Sequence, residues 1–167
     1  MVAKLTHGVR KFEDVQPHLE KVIPPLHELT RRLIPMIDAD TSAFNLYMEG
    51  LRMPQTTEAE KAARQDKMQA GLKSAIEVPL TTMRLGDSGW QSLCTVARYG
   101  NPASASDIQV GARALETGIW GAYQNVVINM REIRDEGYRK EVLTEADRLL
   151  ARAGEKCAEI LQCIAGR

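Results

Sequence analysis

Residues Asp107–Arg134 read DIQVGARALETGIWGAYQNVVINMREIR. Apolar residues recur in this segment every three or four positions, at Ile108, Ala112, Leu115, Ile119, Ala122, Val126, Met130 and Ile133. This spacing predicts a long helix with one apolar face, as in a helical bundle. The preceding GNPASASD is a predicted loop, and Ser106 is the predicted N-cap of the helix.

The segments before this loop and after the Asp107–Arg134 helix have the same apolar period. Thr57 and Glu60 have the spacing of a capping box, which predicts a helix from about Glu58 to the low nineties. Pro79 should bend that helix, and the Gly86–Gly89 stretch is a possible break. A final helix is predicted after Asp135-Glu136-Gly137, with apolar Val142, Ala146, Leu149, Ala153, Cys157, Ile160 and Ile164.

The first third of the chain is also predicted to be helical. A block from about Leu26 to Arg52 should be kinked at Pro35, while Pro17, Pro24 and Pro25 mark turns or first helical turns. A short helical stripe of Val2, Leu5, Val9 and Phe12 begins at Met1 without a cap. No segment alternates as a strand does, so we expect an all-α fold. Residues 1–167 should form one antiparallel bundle of about five long helices.

Composition restricts the function classes. The 167 residues carry 22 Lys plus Arg and 22 Asp plus Glu, so the basic excess typical of nucleic-acid binders is absent. We expect no membrane span and no secretory signal, which favours a cytoplasmic protein. Three cysteines without CxxC spacing, and three scattered histidines, predict neither a disulfide framework nor a metal site. Cys157 and Cys163 should be small core residues, and nothing in the sequence supports a Cys–His nucleophile.

One carboxylate interrupts the apolar pattern. In the predicted block from about Leu26 to Arg52, the apolar stripe consists of two parts. The first is Leu26, Leu29, Leu33 and Ile37, and the second is Phe44, Tyr47 and Leu51. Asp40 occupies the stripe position between them. A carboxylate that loses water there would favour the neutral acid, which can donate a proton near neutral pH. The alternative is a structural Asp40 that pairs with an arginine or caps a neighbouring helix.

A strip of small and polar residues runs beside the apolar face of the Asp107–Arg134 helix. It consists of Asp107, Gly111, Ala114, Gly118, Asn125 and Asn129. Glycine costs about 1 kcal/mol in a helix interior, so these positions need a reason. One possible reason is the close approach of another helix. The other is a groove for a flat ligand, in which Asn125 and Asn129 would be hydrogen-bonding groups.

Several motifs together resemble the cyclodeaminase/cyclohydrolase family. Along the whole chain, in order, they are Met1–Glu13, Ile37-Asp38-Ala39-Asp40 with Ala43-Phe44, Leu51-Arg52-Met53-Pro54, Val78-Pro79-Leu80, Gly100-Asn101, Ser106–Val110, Gly118–Val126 and Ile128–Ile133. The resemblance implies a helical domain that forms a homodimer. It implies conversion of 5-formimidoyltetrahydrofolate to 5,10-methenyltetrahydrofolate and ammonia, in histidine degradation, with a reduced folate as substrate and no further cofactor.

The resemblance also implies residue roles. The family's proton donor is the second Asp of its Asp-x-Asp motif, which corresponds to Asp40. Arg10, Lys11 and Arg52 are candidate anchors for the folate carboxylates, with solvated surface charges as the alternative. The family's Gly-rich turn and first helix lie ahead of the matched stretch, so the chain is expected to be truncated at its N-terminus. Gln55 replaces a common Lys, and His7 a residue that is often aromatic.

Two other functions stay open on the sequence. Methenyltetrahydrofolate cyclohydrolase activity would use the same pocket, with water attacking the bridge carbon. A non-catalytic helical dimerisation or interaction domain would make Asp40 a structural polar group.

Overall fold

The computed structural model describes residues 1–167, and it contains helices and no strand. The helices are α1 (Val2–Thr6), α2 (Gln16–Leu33), α3 (Met36–Arg52), α4 (Glu58–Tyr99), α5 (Ala105–Met130) and α6 (Glu136–Ala165), with 3-10 turns at Arg10–Val15 and Pro102–Ser104. Five of the helices are long, which confirms the predicted all-α bundle.

Helix α4 is the central element, and α2, α3, α5 and α6 all pack on it. It begins at the predicted capping box, in which the Glu60 amide donates to Thr57 Oγ1 (3.2 Å) and the Thr57 amide donates to Glu60 Oε2 (2.9 Å). The predicted break at Gly86–Gly89 is wrong, because α4 continues to Tyr99. Both glycines are buried against neighbouring helices: a Cβ on Gly86 would lie 2.8 Å from Ile119 Cγ1, and one on Gly89 2.8 Å from Leu29 Cδ2.

Helices α2 and α3 follow one path that runs antiparallel to α4. The predicted block begins earlier than expected, at Gln16, and Pro24 and Pro25 lie inside α2 rather than at a turn. Pro17 does occupy the first turn of the helix. The predicted kink at Pro35 is a short interruption between two helices, and the Ala39 amide donates to the Pro35 carbonyl as α3 begins.

Helices α5 and α6 form a hairpin whose apolar faces match the sequence pattern. Every predicted stripe residue of α6 is buried, and on α5 all are buried except the half-buried Leu115. Helix α5 begins at Ala105, so Ser106 lies in its first turn rather than at the cap, and it ends at Met130 instead of Arg134. The Asp135 side chain caps α6 by accepting from the Tyr138 amide (3.0 Å).

The N-terminal segment departs most from the pattern. The predicted stripe is wrong, because Leu5 is 58% exposed and Val9 is 40% exposed. Gly8 has φ of 77°, a left-handed conformation that glycine adopts without steric cost, and it ends the short α1. Thr6 is buried instead, and its hydroxyl accepts from the Asn101 amide (3.0 Å), so α1 is tied to the α4–α5 connection.

None of the helices combines the length and the hydropathy that a membrane crossing requires.

Candidate active site

The structure places Asp40 on the open side of α3, so the predicted burial of this residue is wrong within the single chain. The face of α3 that contacts α4 is displaced by one residue from the predicted stripe. It carries the small residues Ala43 and Gly50, both buried, while Ile37 is 71% exposed and Phe44 is 56% exposed.

The reason is the close approach of the two helix backbones. A Cβ on Gly71 of α4 would lie 2.6 Å from Tyr47 Cα, and one on Gly50 would lie 3.0 Å from the Met68 backbone nitrogen. Such a contact requires small residues on both helices, so the large side chains of α3 turn outward.

Ile37, together with Met36 and Asp40, forms one wall of a trough of about 480 Å³. Helices α3 and α5 each pack along α4 without packing extensively on each other, and the trough lies between them with α4 as its floor. Its lining comprises Leu33, Met36, Ile37, Asp40, Val78, Pro79, Thr82, Gly86, Ala114, Leu115, Gly118, Ile119, Gly121, Ala122 and Asn125. Part of the small-residue strip of α5 therefore faces this opening.

The glycines of α5 separate the two interpretations of that strip. A Cβ added at Gly111, Gly118 or Gly121 would meet no atom within 4 Å. No helix of this chain therefore approaches α5 closely at these positions, so packing within the chain does not explain them. Gly118 and Asn125 instead line the trough, as the groove interpretation predicted.

The trough contains few polar groups. Asp40 is its only ionisable side chain, and no Lys or Arg lines it. Its other polar side chains bond within their own helices: the Thr82 hydroxyl donates to the Val78 carbonyl (3.0 Å), and Asn125 Nδ2 donates to the Gly121 carbonyl (3.4 Å). Asp40 and Asn125 thus face each other across a largely apolar groove.

Asn129 makes a hydrogen bond to α4 within the chain, and its role in substrate binding stays a prediction. Pro79 has no N–H group, so it cannot donate the usual i→i−4 hydrogen bond to the carbonyl of Ala75. Asn129 Nδ2 on α5 donates to that carbonyl across the α4–α5 contact (3.2 Å). Its amide therefore replaces a missing helix donor beside the trough.

The predicted cationic anchors lie outside the trough. Arg10 and Lys11 are exposed in the first 3-10 turn, where Lys11 Nζ lies 5.7 Å from the centre of the Phe12 ring. Arg52 is exposed at the end of α3. The structure therefore brings together Asp40 and Asn125 but not these three cations, and their anchoring role stays a prediction.

No cysteine shows the surroundings of an activated nucleophile. Burial raises the pKa of the Cys94 thiol, and its Sγ lies 3.9 Å from Glu159 Oε1. Cys157 is buried as predicted, while Cys163 is half-buried against the core. No group of three or more His, Cys, Asp or Glu side chains is arranged to hold a metal ion.

The sequence pattern does not reveal the α4 floor of the trough. It marks Pro79 as a bend and Val78-Pro79-Leu80 as a motif, and it gives no signal at Thr82. A proline inside a long predicted helix was the available signal, because the carbonyl it leaves free requires a donor from a neighbour.

Comparisons with known proteins identify the family of the chain. The family model described as formiminotransferase-cyclodeaminase matches residues 1–148. The chain belongs to this family. Formimidoyltransferase-cyclodeaminase from Gallus gallus is 41% identical over 167 residues, which is 100% of this chain and 31% of that protein. The chain thus spans about a third of the length of such relatives.

Two further members of the family are informative. Methenyltetrahydrofolate cyclohydrolase from Methylorubrum extorquens is 36% identical over 154 residues, which is 92% of this chain and 74% of that protein. The crystal structure of formiminotetrahydrofolate cyclodeaminase from Thermotoga maritima superposes with a TM-score of 0.85 at 27% identity, covering 99% of this chain and 79% of that one. The resemblance noted in the sequence is therefore confirmed, and the relatives are folate-metabolising enzymes.

Proposed function

We propose that this chain binds a reduced folate in the trough and converts 5-formimidoyltetrahydrofolate to 5,10-methenyltetrahydrofolate and ammonia. The observation that carries the proposal is the position of Asp40, the single ionisable side chain in a largely apolar groove of about 480 Å³. A volume of this size is typical of small-molecule sites with a few fixed polar groups. Membership in a family of folate enzymes supports the same substrate class.

The proposed reaction needs orientation and one proton donor. N10 of the folate attacks the formimidoyl carbon, and the C=N electron pair moves to the terminal nitrogen. N10 loses its proton, and the terminal nitrogen becomes an amino group on the tetrahedral carbon. One further proton converts this amino group to an ammonium, which leaves as ammonia when the C–N bond breaks. The lone pair of N5 then forms the C=N bond of the cationic methenyl product. Because N10 belongs to the same molecule, ring closure is intramolecular and is favoured by fixed geometry.

Asp40 is the proposed proton donor to the departing nitrogen. Without protonation the nitrogen would have to leave as the anion NH2−, which is a very poor leaving group. A positioned general acid accelerates such steps by about 10²–10⁴-fold. Asp40 is exposed in the unliganded chain. A folate lying in the trough would cover this carboxyl group and displace water from it.

Asp40→Asn and Asp38→Asn form a matched pair of test variants. Both residues are exposed on α3 and two positions apart, but only Asp40 lines the trough. We expect Asp40→Asn to lower kcat by about 10²–10⁴-fold, with 5-formyltetrahydrofolate still bound. Asp38→Asn should leave kcat within about twofold. Turnover is followed by methenyltetrahydrofolate absorbance and released ammonia, and full activity of Asp40→Asn would reject the assignment.

The cyclohydrolase reaction is the second candidate. It is supported by the 36% identity to the Methylorubrum extorquens enzyme over most of this chain. Water would attack the bridge carbon of 5,10-methenyltetrahydrofolate in the same trough, and the ring would open to a formyl folate. Incubation with the methenyl compound distinguishes the two, since a cyclohydrolase removes its absorbance well above the uncatalysed rate.

A homodimer is the proposed assembly. Ile34, Ile37, Val110 and Trp120 are all more than half exposed, and such apolar side chains favour association. Sedimentation velocity should give twice the 18.6 kDa chain mass. A monomer at micromolar concentration would refute the proposed homodimer, and it would not distinguish the cyclodeaminase from the cyclohydrolase. A non-catalytic interaction domain is the alternative if a dimer forms without folate binding.

For the cellular role we propose a cytoplasmic protein of histidine degradation.

A further inference from the structure

A second, smaller cavity of about 160 Å³ lies beside the trough. Phe44 and Tyr47 of α3 form one wall, Ile128 of α5 and Glu132 just after this helix form the other, and α4 again supplies the floor. We call it the Phe44–Ile128 cavity. The proposed proton transfer does not use it.

This cavity continues the trough by one helical turn on all three helices. Asp40 is followed by Phe44 on α3, and Asn125 by Asn129 on α5, while on the antiparallel α4 the floor passes from Pro79 back to Ala75. Each step is four residues, which corresponds to about 6 Å along a helix axis. The two cavities therefore form one elongated groove. Asp40 lies in the trough, at the end that adjoins the Phe44–Ile128 cavity.

The chemistry of the Phe44–Ile128 cavity suits an uncharged flat group. Phe44 is 56% exposed and Ile128 is 59% exposed on opposite walls, so both present apolar surface to the opening. The polar groups are already engaged: the Tyr47 hydroxyl donates to Glu132 Oε2 (2.9 Å), and Asn129 donates to Ala75. A carboxylate placed here would meet Glu132 and no cation.

We propose that the Phe44–Ile128 cavity holds the benzoyl ring of the folate while the pteridine lies at Asp40. This inference rests on the proposed function. A reduced folate consists of two flat parts joined by the C9–N10 bridge, and two adjacent cavities one helical turn apart match that division. N10 carries the benzoyl ring, so a held ring fixes the attacking nitrogen relative to Asp40. Phe44 and Ile128 are thus positioning residues for ring closure.

The test compares two ligands on the full 167-residue chain. One is 5-formyltetrahydrofolate, and the other is 5-formyl-6-methyltetrahydropterin, which lacks the benzoylglutamate part. Phe44→Ala and Ile128→Ala should each weaken folate binding by about ten- to a hundredfold, the loss expected when a buried apolar contact is removed. Binding of the pterin should change less than about twofold. Leu46→Ala, which removes an exposed apolar residue of α3 outside both cavities, is the matched control.

Kinetics add an independent measurement. Loss of the ring contact should raise KM for 5-formimidoyltetrahydrofolate and also lower kcat, because N10 is less well oriented. A residue that matters only for folding would lower the active fraction without changing KM. Circular dichroism of each variant establishes that the helices remain formed.

Each outcome has a defined meaning. Unchanged folate affinity in both variants overturns the benzoyl subsite and leaves the proposed function standing. Equal weakening of folate and pterin also overturns it, since the ring contact would then not be the cause. A changed sedimentation coefficient with unchanged folate affinity assigns Phe44 and Ile128 to a contact between chains instead. Absence of folate binding by the unsubstituted chain refutes the proposed function itself.

Discussion

The hydrogen bond between Asn129 and the Ala75 carbonyl should be energetically coupled to Pro79. Ala75 is 8% exposed, and Pro79 leaves its carbonyl without the usual helix donor. Asn129→Leu keeps a similar shape but removes the donor, so the carbonyl becomes unsatisfied in a largely buried position. Leaving such a group without a partner costs about 1–3 kcal/mol, and we expect a fall of that size in the free energy of unfolding.

Pro79→Ala should abolish most of this cost. The alanine restores a backbone N–H that can donate to Ala75, so Asn129→Leu in the Pro79→Ala background should cost less than about 1 kcal/mol. The resulting coupling energy is about 1–2 kcal/mol, which is within the range measured for residues in direct contact. The unsubstituted chain, the two single variants and the double variant form a double-mutant cycle. The effect of Pro79→Ala alone cancels from this cycle.

Urea unfolding of the four proteins, followed by circular dichroism, measures the cycle. Asn125→Leu is the control for stability, since Asn125 is exposed and donates only to its own helix, and it should change the free energy by less than about 0.5 kcal/mol. An equal cost of Asn129→Leu with and without Pro79 would refute the reasoning. Asn129 would then stabilise the protein through packing alone.

Three further outcomes follow from the packing and charge of the helices. Gly71→Ala should destabilise the bundle by about 2 kcal/mol or more, because its Cβ would lie 2.6 Å from Tyr47 Cα, and urea unfolding should register the loss. Gly111→Ala, with no atom within 4 Å of its new Cβ, should instead stabilise α5 by about 0.5–1 kcal/mol in the same assay. The hydrogen bond from Arg84 holds the pKa of Glu145 below its ordinary value, so this pair stabilises the fold above that ordinary value and loses its contribution as the pH falls through the lowered one. Glu145→Gln should therefore flatten the acid limb of a stability-against-pH curve by about 0.5–1 kcal/mol, and an unchanged limb would contradict the pairing.

The sequence was most informative where one helix face meets the core. The stripes of α5 and α6 are long, strictly periodic and almost wholly buried, as expected when a helix packs against neighbours through large side chains. The same argument failed on α3. Its contact with α4 uses Ala43, Gly50 and Gly71, and a stripe of large residues does not reveal a contact made by small ones.

Whether a proline ends a helix depends on its tertiary surroundings. Pro17 was correctly placed in a first turn, but Pro24 and Pro25 lie within α2 although a turn was expected. A proline inside a helix is tolerated when tertiary contacts hold the helix and the freed carbonyls reach water or another donor. Pro24 and Pro25 are exposed, whereas Pro79 is buried and relies on Asn129. Sequence alone cannot distinguish these surroundings.

The same displacement of the contact face changes how Asp40 is understood. Periodicity singled out Asp40 because it interrupts a stripe of large apolar residues, and it assigned that stripe to the interior. In the folded chain the stripe instead faces a trough, so Ile37, Asp40 and Phe44 form the wall of a groove rather than part of a core. An apolar face with a single carboxylate is unfavourable in water unless something covers it. The proposed folate would cover both cavities, and it would exclude water from the carboxyl group of Asp40 where the proton is transferred.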